Sequence, residues 1–226
     1  MIKTFFLLIC LSAHLYAYTD NDVDRLKKEI IAARTSVYGW CSQDKLLGFI
    51  DLVLEVKPDV CVEIGVYEGA SFLPVALTLK FLGQGMAIAI DPWDFIECIR
   101  GLDSIKYEEE WRTWLSTPMD TVHSDFEKMI KRNNLENYSL TYAMTSEKAA
   151  PEIEPYIDIL HIDGSHSEYS STKDVELYLP KVRSGGYIWL SNALCVERYE
   201  AVNFLLERCD VVKFIDDQAC MLFQKR

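Results

Sequence analysis

The chain has 226 residues, half of them hydrophobic, and a formal net charge of -12. This length suits one α/β domain with a substantial core, and the apolar content excludes a chain that is disordered by default. The acidic balance argues against a general nucleic-acid-binding protein, which needs a basic surface, so no nucleic-acid partner is expected.

The first 17 residues have the pattern of a targeting segment. Lys3 supplies a positive charge before the apolar run Phe5–Leu11, which is too short to span a bilayer comfortably. Ala17 is a small residue that suits a cleavage point. We therefore predict a signal peptide over 1–17, with an uncleaved N-terminal anchor or an ordinary helix as alternatives. The protein is expected to be exported (periplasmic or secreted) or anchored to a membrane by this segment alone, and 18–226 is predicted to be a single domain.

Hydrophobic periodicity then predicts short apolar strands that alternate with helices. The predicted helices are Asp22–Arg34, Gln43–Val56, Ser71–Leu82, Lys173–Leu179 and Glu197–Cys209. The predicted strands are Val60–Ile64, Met86–Ile90, Tyr138–Met144, Ile157–Ile162, Tyr187–Leu190, Val211–Ile215 and Ala219–Phe223. Such nearly all-apolar strands are typical of a parallel sheet that helices cover on both faces.

The last two predicted strands are separated only by residues 216–218, a link too short for a parallel pair. The predicted fold is therefore α/β, with a mostly parallel sheet that ends in an antiparallel hairpin. Ligands of such sheets bind at the carboxyl ends of the strands. The polar residues at or just after strand ends are expected to gather on one rim: Glu63, Asp91, Asp163 and Asn192.

The segment "VEIGVYEGAS", at positions 62–71, lies between a predicted strand and a predicted helix. Gly65 permits a tight turn and a close approach of the backbone to a ligand. A nicotinamide dinucleotide would need a second glycine where Tyr67 stands, and Glu63 and Glu68 place negative charge where its pyrophosphate would bind. The same charge suits a cationic ligand with an ammonium and a sulfonium. The plainer alternative is a turn that only connects the strand to the helix.

A second polar corner follows the strand "ILHI", which ends at Asp163, turns at Gly164 and is followed by His166. A catalytic corner and an ordinary polar strand end both agree with this pattern. Asp91 ends an earlier predicted strand, where a carboxylate can accept hydrogen bonds from ribose hydroxyls. Together, the glycine turn and the strand-end acid favour a nucleoside-type ligand.

On three motifs the chain resembles class I S-adenosylmethionine-dependent methyltransferases. The motifs are "VEIGVYEGAS", "AIDPW" and "DILHIDGSHSEYSSTKDVELYLPKVRSGGYIWLSN", and they cover roughly residues 58–192. The resemblance is to the methyltransferase domain 24 type, which includes sugar O-methyltransferases of the macrocin type. It implies a Rossmann-like seven-stranded sheet and S-adenosyl-L-methionine as cofactor.

The resemblance also implies which residues hold the cofactor. Those around its methionine end would be Glu63, Gly65, Tyr67, Gly69 and Ser71. Asp91 would bind the ribose, and the ring of Trp93 would form one side of the adenosine pocket. Ser146, together with Thr145, is a weaker candidate for contact with the adenine.

In similar metal-assisted members, the acid of I-D-G-x-H binds a divalent ion and the histidine accepts the proton of the acceptor hydroxyl. The corresponding residues here are Asp163 and His166. An ion such as Mg²⁺ can orient a hydroxyl and lower its pKa. The chain departs from the family after the fifth strand, where Ser191 and Asn192 replace a pair of acids or Asp-Asn. Asp163 and Asn192 thus remain as weak metal ligands, and metal-free use of His166 or loss of activity stays open.

Several other residues have plainer interpretations. His161 is predicted to be a hydrogen-bonded core histidine, His123 to be exposed, and Asp158 to be structural because it begins its strand. The aromatic-rich segment 92–125 is longer than a connection requires and is predicted to form a lid-like insertion. A solvated helix over "EEEWRTW", at positions 108–114, with its aromatic side chains packed inward, is the alternative.

Seven cysteines leave six once Cys10 in the leader is removed, and an even number in an exported chain invites disulfides. Cys61 and Cys220, however, lie inside apolar strands, where a free cysteine behaves as a small hydrophobe. We expect mostly free thiols, with Cys41 and Cys98 as the reactive or bridged exceptions.

The predicted function is methyl transfer from S-adenosylmethionine to the oxygen of a small hydroxylated or sugar-like acceptor. An export signal conflicts with a cofactor that is made in the cytosol. The alternative is therefore a non-catalytic exported protein that keeps the methyltransferase fold and its nucleoside pocket. A nicotinamide-dependent oxidoreductase is the third possibility, against which Glu63 and Tyr67 argue.

Overall fold

The computed structural model describes residues 18–216 and 219–226. The predicted leader, 1–17, lies outside the described residues. Within those two ranges, no helix combines the length and the apolar character that crossing a membrane requires.

Seven strands form one sheet in the order β3-β2-β1-β4-β5-β7-β6. Strands β1 to β5 are parallel, whereas β7 runs antiparallel between β5 and β6. The predicted Rossmann-like sheet with a C-terminal antiparallel hairpin is confirmed. The strands are β1 Val60–Ile64, β2 Met86–Ile90, β3 Ser139–Tyr142, β4 Ile157–Ile162, β5 Val182–Leu190, β6 Cys209–Ile215 and β7 Cys220–Lys225.

The described residues form nine α-helices, several of which begin at a side-chain cap. Ser42 caps α2 by accepting a hydrogen bond from the backbone N–H of Lys45, and Ser167 caps α8 in the same way from Ser170. The helices are α1 Asp20–Arg34, α2 Gln43–Val56, α3 Phe72–Leu82, α4 Phe95–Cys98, α5 Glu108–Ser116, α6 Met119–Arg132, α7 Ser146–Ala149, α8 Glu168–Tyr178 and α9 Tyr199–Leu206.

The sheet has an apolar core on each face. On one face, Phe49 of α2, Phe72 of α3 and Phe126 of α6 are fully buried or nearly so. On the other face, Tyr178 of α8 and Leu205 of α9 are fully buried. Because both faces are covered, ligands can reach the sheet only at its ends.

Asp158 lies at the opposite end of the sheet from the predicted site. Its Oδ2 accepts hydrogen bonds from the backbone N–H groups of Asp59 and Val60, both at 2.9 Å, and its Oδ1 lies 2.6 Å from Nε of Arg183. These contacts tie the start of β4 to β1 and β5, which confirms the structural interpretation.

The segment 92–125 contains α4, α5 and the first half of α6. It is therefore largely helical, as in the alternative interpretation, and its inner side borders the predicted site.

Candidate active site

Four parallel strands end at one level, which brings together the residues that follow them. Ile64 of β1 is in register with Ile90 of β2 and with Ile162 of β4, and Ile162 is in register with Leu190 of β5. The order of the strands reverses between β1 and β4, and this is where sheets of this kind form a ligand crevice. The residues that come next along the chain are Gly65, Asp91, Asp163 and Ser191.

A cavity of about 820 Å³ opens over these strand ends. Its volume lies in the usual range of small-molecule sites. Nine of the predicted site residues line it: Gly65, Tyr67, Ser71, Asp91, Trp93, Ser146, Asp163, His166 and Asn192. Glu63 and Gly69 are not among its lining residues.

Glycine is required where β1 turns into the cavity. The φ of Gly65 is 82°, in the left-handed region that favours glycine. A Cβ at this position would lie 2.5 Å from the carbonyl oxygen of Asp163 and 2.5 Å from the Cα of Gly164. The loop after β1 is therefore in direct backbone contact with the loop after β4.

The Asp91 carboxylate fixes the backbone of the same turn. Its Oδ2 accepts hydrogen bonds from the N–H groups of Val66 at 2.8 Å and Tyr67 at 2.9 Å, and its Oδ1 accepts one from Trp93 at 2.7 Å. Burial raises the pKa of Asp91, and these three hydrogen bonds oppose that rise. Since Oδ1 has one N–H partner, it keeps a lone pair that a ribose hydroxyl can use.

Glu63 and Gly69 lie behind the turn and not on the cavity wall. Glu63 is 4% exposed, and its Oε1 accepts a hydrogen bond from the hydroxyl of Ser71 at 2.5 Å. Gly69 has a φ of 91°, and a Cβ there would lie 2.5 Å from the terminal methyl of Met129 on α6. Both residues therefore pack behind the turn, and their predicted place around the methionine end of the cofactor stays a prediction.

Asp163 forms a largely buried ion pair with Lys45, a residue that belongs to none of the sequence motifs. Nζ of Lys45 lies 2.8 Å from Oδ2 of Asp163 and 2.8 Å from Oγ of Ser191, and Lys45 is 3% exposed. Burial by itself would lower the pKa of Lys45, but the carboxylate of Asp163 outweighs this effect and raises it. Burial would likewise raise the pKa of Asp163, and Lys45 holds it well below its ordinary range. Both groups are therefore charged at neutral pH.

His161 lies beneath this ion pair. It is 2% exposed, its Nε2 lies 2.9 Å from Oγ of Ser191, and its Nδ1 lies 3.3 Å from Oε1 of Glu63 without hydrogen-bond geometry. The ring of Phe49 packs against the imidazole at 4.9 Å between centroids. The predicted hydrogen-bonded core histidine is confirmed.

The predicted metal ligands do not suit a divalent cation. Mg²⁺ and Ca²⁺ take roughly six to eight oxygen ligands at close range. Here the ammonium of Lys45 already neutralises Asp163, and Asn192, with a φ of 52°, adds only a neutral amide. Within the described residues, no group of three or more His, Cys, Asp or Glu is arranged for a metal ion. A metal held by Asp163 and Asn192 is therefore not supported.

His166 lines the cavity close to this corner. Its side chain is exposed to the cavity, whose walls restrict its hydration. This desolvation lowers the pKa of His166, the positive charge of Arg198 lowers it further, and Asp163 opposes both. The imidazole is therefore neutral at neutral pH, the state in which it can accept a proton.

The hydroxyl of Ser146 is directed towards α8. It donates a hydrogen bond at 2.5 Å to Oδ1 of Asp174, a residue that is 3% exposed. Burial raises the pKa of Asp174 to about 6, against the lowering effect of Ser146 and Arg198. Tyr178 donates a hydrogen bond at 2.8 Å to the carbonyl oxygen of Ser146. The Ser146 side chain is thus held by the protein at the edge of the cavity.

Two groups of contacts tie the segment 92–125 to the rest of the domain. Nη1 of Arg100 lies 2.7 Å from Oε2 of Glu147, and Tyr169 donates a hydrogen bond at 3.2 Å to Oε1 of Glu147. Nζ of Lys106 lies 3.0 Å from Oε1 of Glu197. Arg100, Glu147, Tyr169 and Glu197 all line the cavity. These contacts hold the segment beside the cavity.

Aromatic side chains form part of the cavity wall. Trp93 donates a hydrogen bond from Nε1 to the carbonyl oxygen of Tyr67 at 2.9 Å and stacks on His123, with 4.0 Å between ring centroids. His123 is half-buried, so the prediction that it is exposed is wrong, because Trp93 covers it. The ring of Tyr67 also lies 5.4 Å from that of Trp40 and 6.0 Å from that of Trp114.

The six cysteines of the described residues are free thiols, which confirms the expectation for most of them. Cys41 and Cys98 line the cavity, and burial raises the pKa of each to about 12. The prediction that these two are reactive or bridged is wrong, because desolvation keeps them protonated and neither has a partner cysteine.

Comparison with known proteins agrees with this architecture. The profile of a family described as "Methyltransferase domain" matches residues 62–193. No curated protein matches the chain.

Solved structures, two of them of methyltransferases, share the fold at low sequence identity. The SAH-bound methyltransferase PaMTH1 of Podospora anserina has a TM-score of 0.62 and 13% identity, over 94% of this chain and 98% of that one. The O-methyltransferase NovP has a TM-score of 0.61 and 15% identity, over 88% of this chain and 79% of that one. Cofactor-bound Rv0187 from MTB has a TM-score of 0.60 and 13% identity, over 93% of this chain and 99% of that one.

At such identities the structural likeness shows the fold alone, whereas the family profile spans more than half of the chain. The chain therefore belongs to this methyltransferase family and is a class I S-adenosylmethionine-dependent methyltransferase, which confirms the resemblance carried by its motifs.

Proposed function

We propose that the protein transfers a methyl group from S-adenosylmethionine to a hydroxyl oxygen of a small hydroxylated or sugar-like acceptor. The observation that carries this proposal is the convergence of the glycine turn, Asp91 and the Asp163–His166 corner on one cavity. The cofactor elements and the candidate base thus border the same space.

The charge of the cavity supports a cationic cofactor. Nine acidic side chains line it, against three basic ones, Lys45, Arg100 and Lys173. A sulfonium and an ammonium gain from this excess of carboxylates, whereas a dinucleotide pyrophosphate is repelled. Asp91 is placed to accept a hydrogen bond from a ribose hydroxyl, and Tyr67 and Trp93 supply apolar walls.

His166 is the proposed general base. When bound, S-adenosylmethionine supplies a methyl group on a positively charged sulfur; the oxygen–carbon bond forms as the sulfur–carbon bond breaks. The neutral imidazole of His166 receives the proton of the acceptor hydroxyl, so the charges balance. Its lowered pKa keeps it in the accepting form at neutral pH.

A thermal-shift titration tests the cofactor. S-adenosylhomocysteine at 100 times its dissociation constant is expected to stabilise the protein by about 2.7 kcal/mol, whereas NAD is expected to produce no shift. A shift with NAD alone would contradict the charge argument.

A panel of hydroxylated acceptors tests the reaction. His166→Ala is expected to lower methyl transfer roughly 100-fold or more while leaving S-adenosylhomocysteine binding intact. Lys128→Ala, on the surface of α6, is the control. Unchanged turnover by His166→Ala removes this residue from the mechanism. Tight S-adenosylhomocysteine binding by the wild type without transfer to any acceptor would favour the non-catalytic alternative.

We also propose export or anchoring, on the pattern of residues 1–17 alone. N-terminal sequencing of the mature protein tests cleavage after Ala17, and an intact Met1 would contradict it.

A further inference from the structure

Lys45 occupies an unusual place for a lysine. It lies in the first turn of α2, is 3% exposed and lines the cavity. Its backbone N–H is held by the cap Ser42 at 3.1 Å, and one turn later Phe49 stacks on Trp189 of β5 at 4.1 Å between ring centroids. The start of α2 is therefore held in place, and it positions the Lys45 ammonium at the ends of the strands.

The partners of the ammonium define the site. Nζ donates hydrogen bonds at 2.8 Å to Oδ2 of Asp163 and at 2.8 Å to Oγ of Ser191, and Ser191 is oriented in turn by Nε2 of His161 at 2.9 Å. An ammonium has three N–H donors. Two are used by these partners, and within the described part of the chain the third has none. The third donor is thus unused by these partners, and Lys45 lines the cavity.

This arrangement disagrees with a metal at the same corner. A divalent cation bound by Asp163 would require further oxygen ligands within about 2.6 Å of itself. The ammonium lies at hydrogen-bond distance from both Asp163 and residue 191, so a second cation there would face a fixed positive charge at short range. A serine at position 191 suits an ammonium neighbour, because a hydroxyl accepts its hydrogen bond without adding a second negative charge.

We propose that Lys45 is the built-in cation of this active site: its ammonium takes the place of a divalent metal and binds the acceptor oxygen through its third N–H. This inference rests on the proposed transfer to a hydroxyl group. The ammonium stabilises negative charge that develops on the oxygen as His166 takes the proton, and it fixes the direction of that oxygen.

The class of acceptor follows from the number of N–H groups of Lys45 that have no partner among the described residues, which is one. A metal with open positions can chelate two neighbouring hydroxyls, whereas one N–H binds one oxygen. A single hydroxyl is therefore sufficient for an acceptor of this enzyme, and a vicinal diol gains little over a matched compound with one hydroxyl.

The first arm of the experiment measures metal binding and needs no acceptor. Mn²⁺ is titrated calorimetrically into the full-length chain, into Lys45→Met, and into the double variant Lys45→Met/Ser191→Asp. The wild type is expected to show no saturable binding at this corner, while the double variant, with carboxylates at 163 and 191 and no ammonium, is expected to bind Mn²⁺. Saturable binding by the wild type that Asp163→Asn abolishes would overturn the proposal. S-adenosylhomocysteine binding is followed in each variant as a check on folding.

The second arm measures methyl transfer with EDTA or with Mg²⁺. The wild-type rate is expected to be the same in both, and Lys45→Met is expected to lose roughly 100-fold in kcat/KM, with Lys27→Met, which breaks the surface pair with Asp51, as the matched control. Loss of the wild-type activity in EDTA with recovery in Mg²⁺, an unchanged Lys45→Met, or a strict need for a vicinal diol would each overturn the inference. If no hydroxylated acceptor is methylated, the proposed function fails, whereas the Mn²⁺ titration still decides whether Lys45 excludes a metal.

Discussion

Asp174 provides a quantitative test of the electrostatics beside the cavity. It is 3% exposed, and burial raises its pKa from 3.8 to about 6. Between these two values the folded protein keeps a proton that the unfolded chain releases, so the free energy of unfolding falls as the pH rises. The difference corresponds to on the order of 3 kcal/mol of destabilisation, complete above about pH 7 and nearly absent at about pH 3. Asp174→Asn is therefore expected to stabilise the protein increasingly with pH.

Urea denaturation at pH 5 and pH 7.5 measures this effect. From pH 5 to pH 7.5, the advantage of Asp174→Asn over the wild type in the free energy of unfolding is expected to grow by on the order of 1 kcal/mol. Contributions that do not depend on pH, such as an altered hydrogen bond to Ser146, cancel in this comparison. Asp125→Asn, at the surface of α6, is the control. An advantage of equal size at both pH values would refute the reasoning that burial disfavours the charged carboxylate.

Three further predictions concern the turn, the base and the lid. Gly65→Ala is expected to lower the free energy of unfolding by about 1–3 kcal/mol or more and to weaken S-adenosylhomocysteine binding. The control Gly83→Ala has a similar φ but open space for a Cβ, so its loss of stability is expected to be smaller. Equal losses of stability in urea denaturation would refute the close contact at Gly65. The pH profile of kcat/KM is expected to be flat near neutrality and to fall tenfold per pH unit below the lowered pKa of His166; a rate that rises in acid would exclude its role as base. Arg100→Ala is expected to raise the Kd for S-adenosylhomocysteine several-fold while the free energy of unfolding falls by less than about 1 kcal/mol. The control Arg112→Ala breaks an ion pair on the outer surface and is expected to leave this Kd unchanged. Equal effects of the two substitutions on the Kd, measured by calorimetry, would contradict the lid.

Strands covered on both faces were the most predictable elements. The bounds of β1, β2 and β4 agree with prediction to the residue, because each is a short apolar run between polar or turn-forming residues. By contrast, β5 begins at Val182, five residues before the predicted start, since Ser184-Gly185-Gly186 resembles a turn and yet continues the strand. Likewise α8 begins at Glu168 and not at Lys173, because its first turn depends on the cap Ser167 and not on apolar periodicity.

The site residues that come directly after a strand could be predicted from the sequence. Asp91 and Asp163 come immediately after buried strands of equal level, so their convergence follows from the topology. Lys45 was not predicted, because a lysine in a helix is ordinarily solvated. One signal was present: Lys45 precedes Phe49 by four residues and so shares a helical face with a core aromatic residue. The distances to Asp163 could come only from the three-dimensional structure.

The contact of Gly65 with the peptide between Asp163 and Gly164 has a consequence for how the enzyme can be adapted. With no room for even a methyl group between these loops, they form a closely packed seam between the proposed cofactor side and the proposed acceptor side of the pocket. We therefore expect adjustment to acceptors of different size in the segment 92–125, which is held beside the pocket by side-chain ion pairs of Arg100 and Lys106. Engineering for a wider acceptor range would begin with that segment and leave the seam untouched.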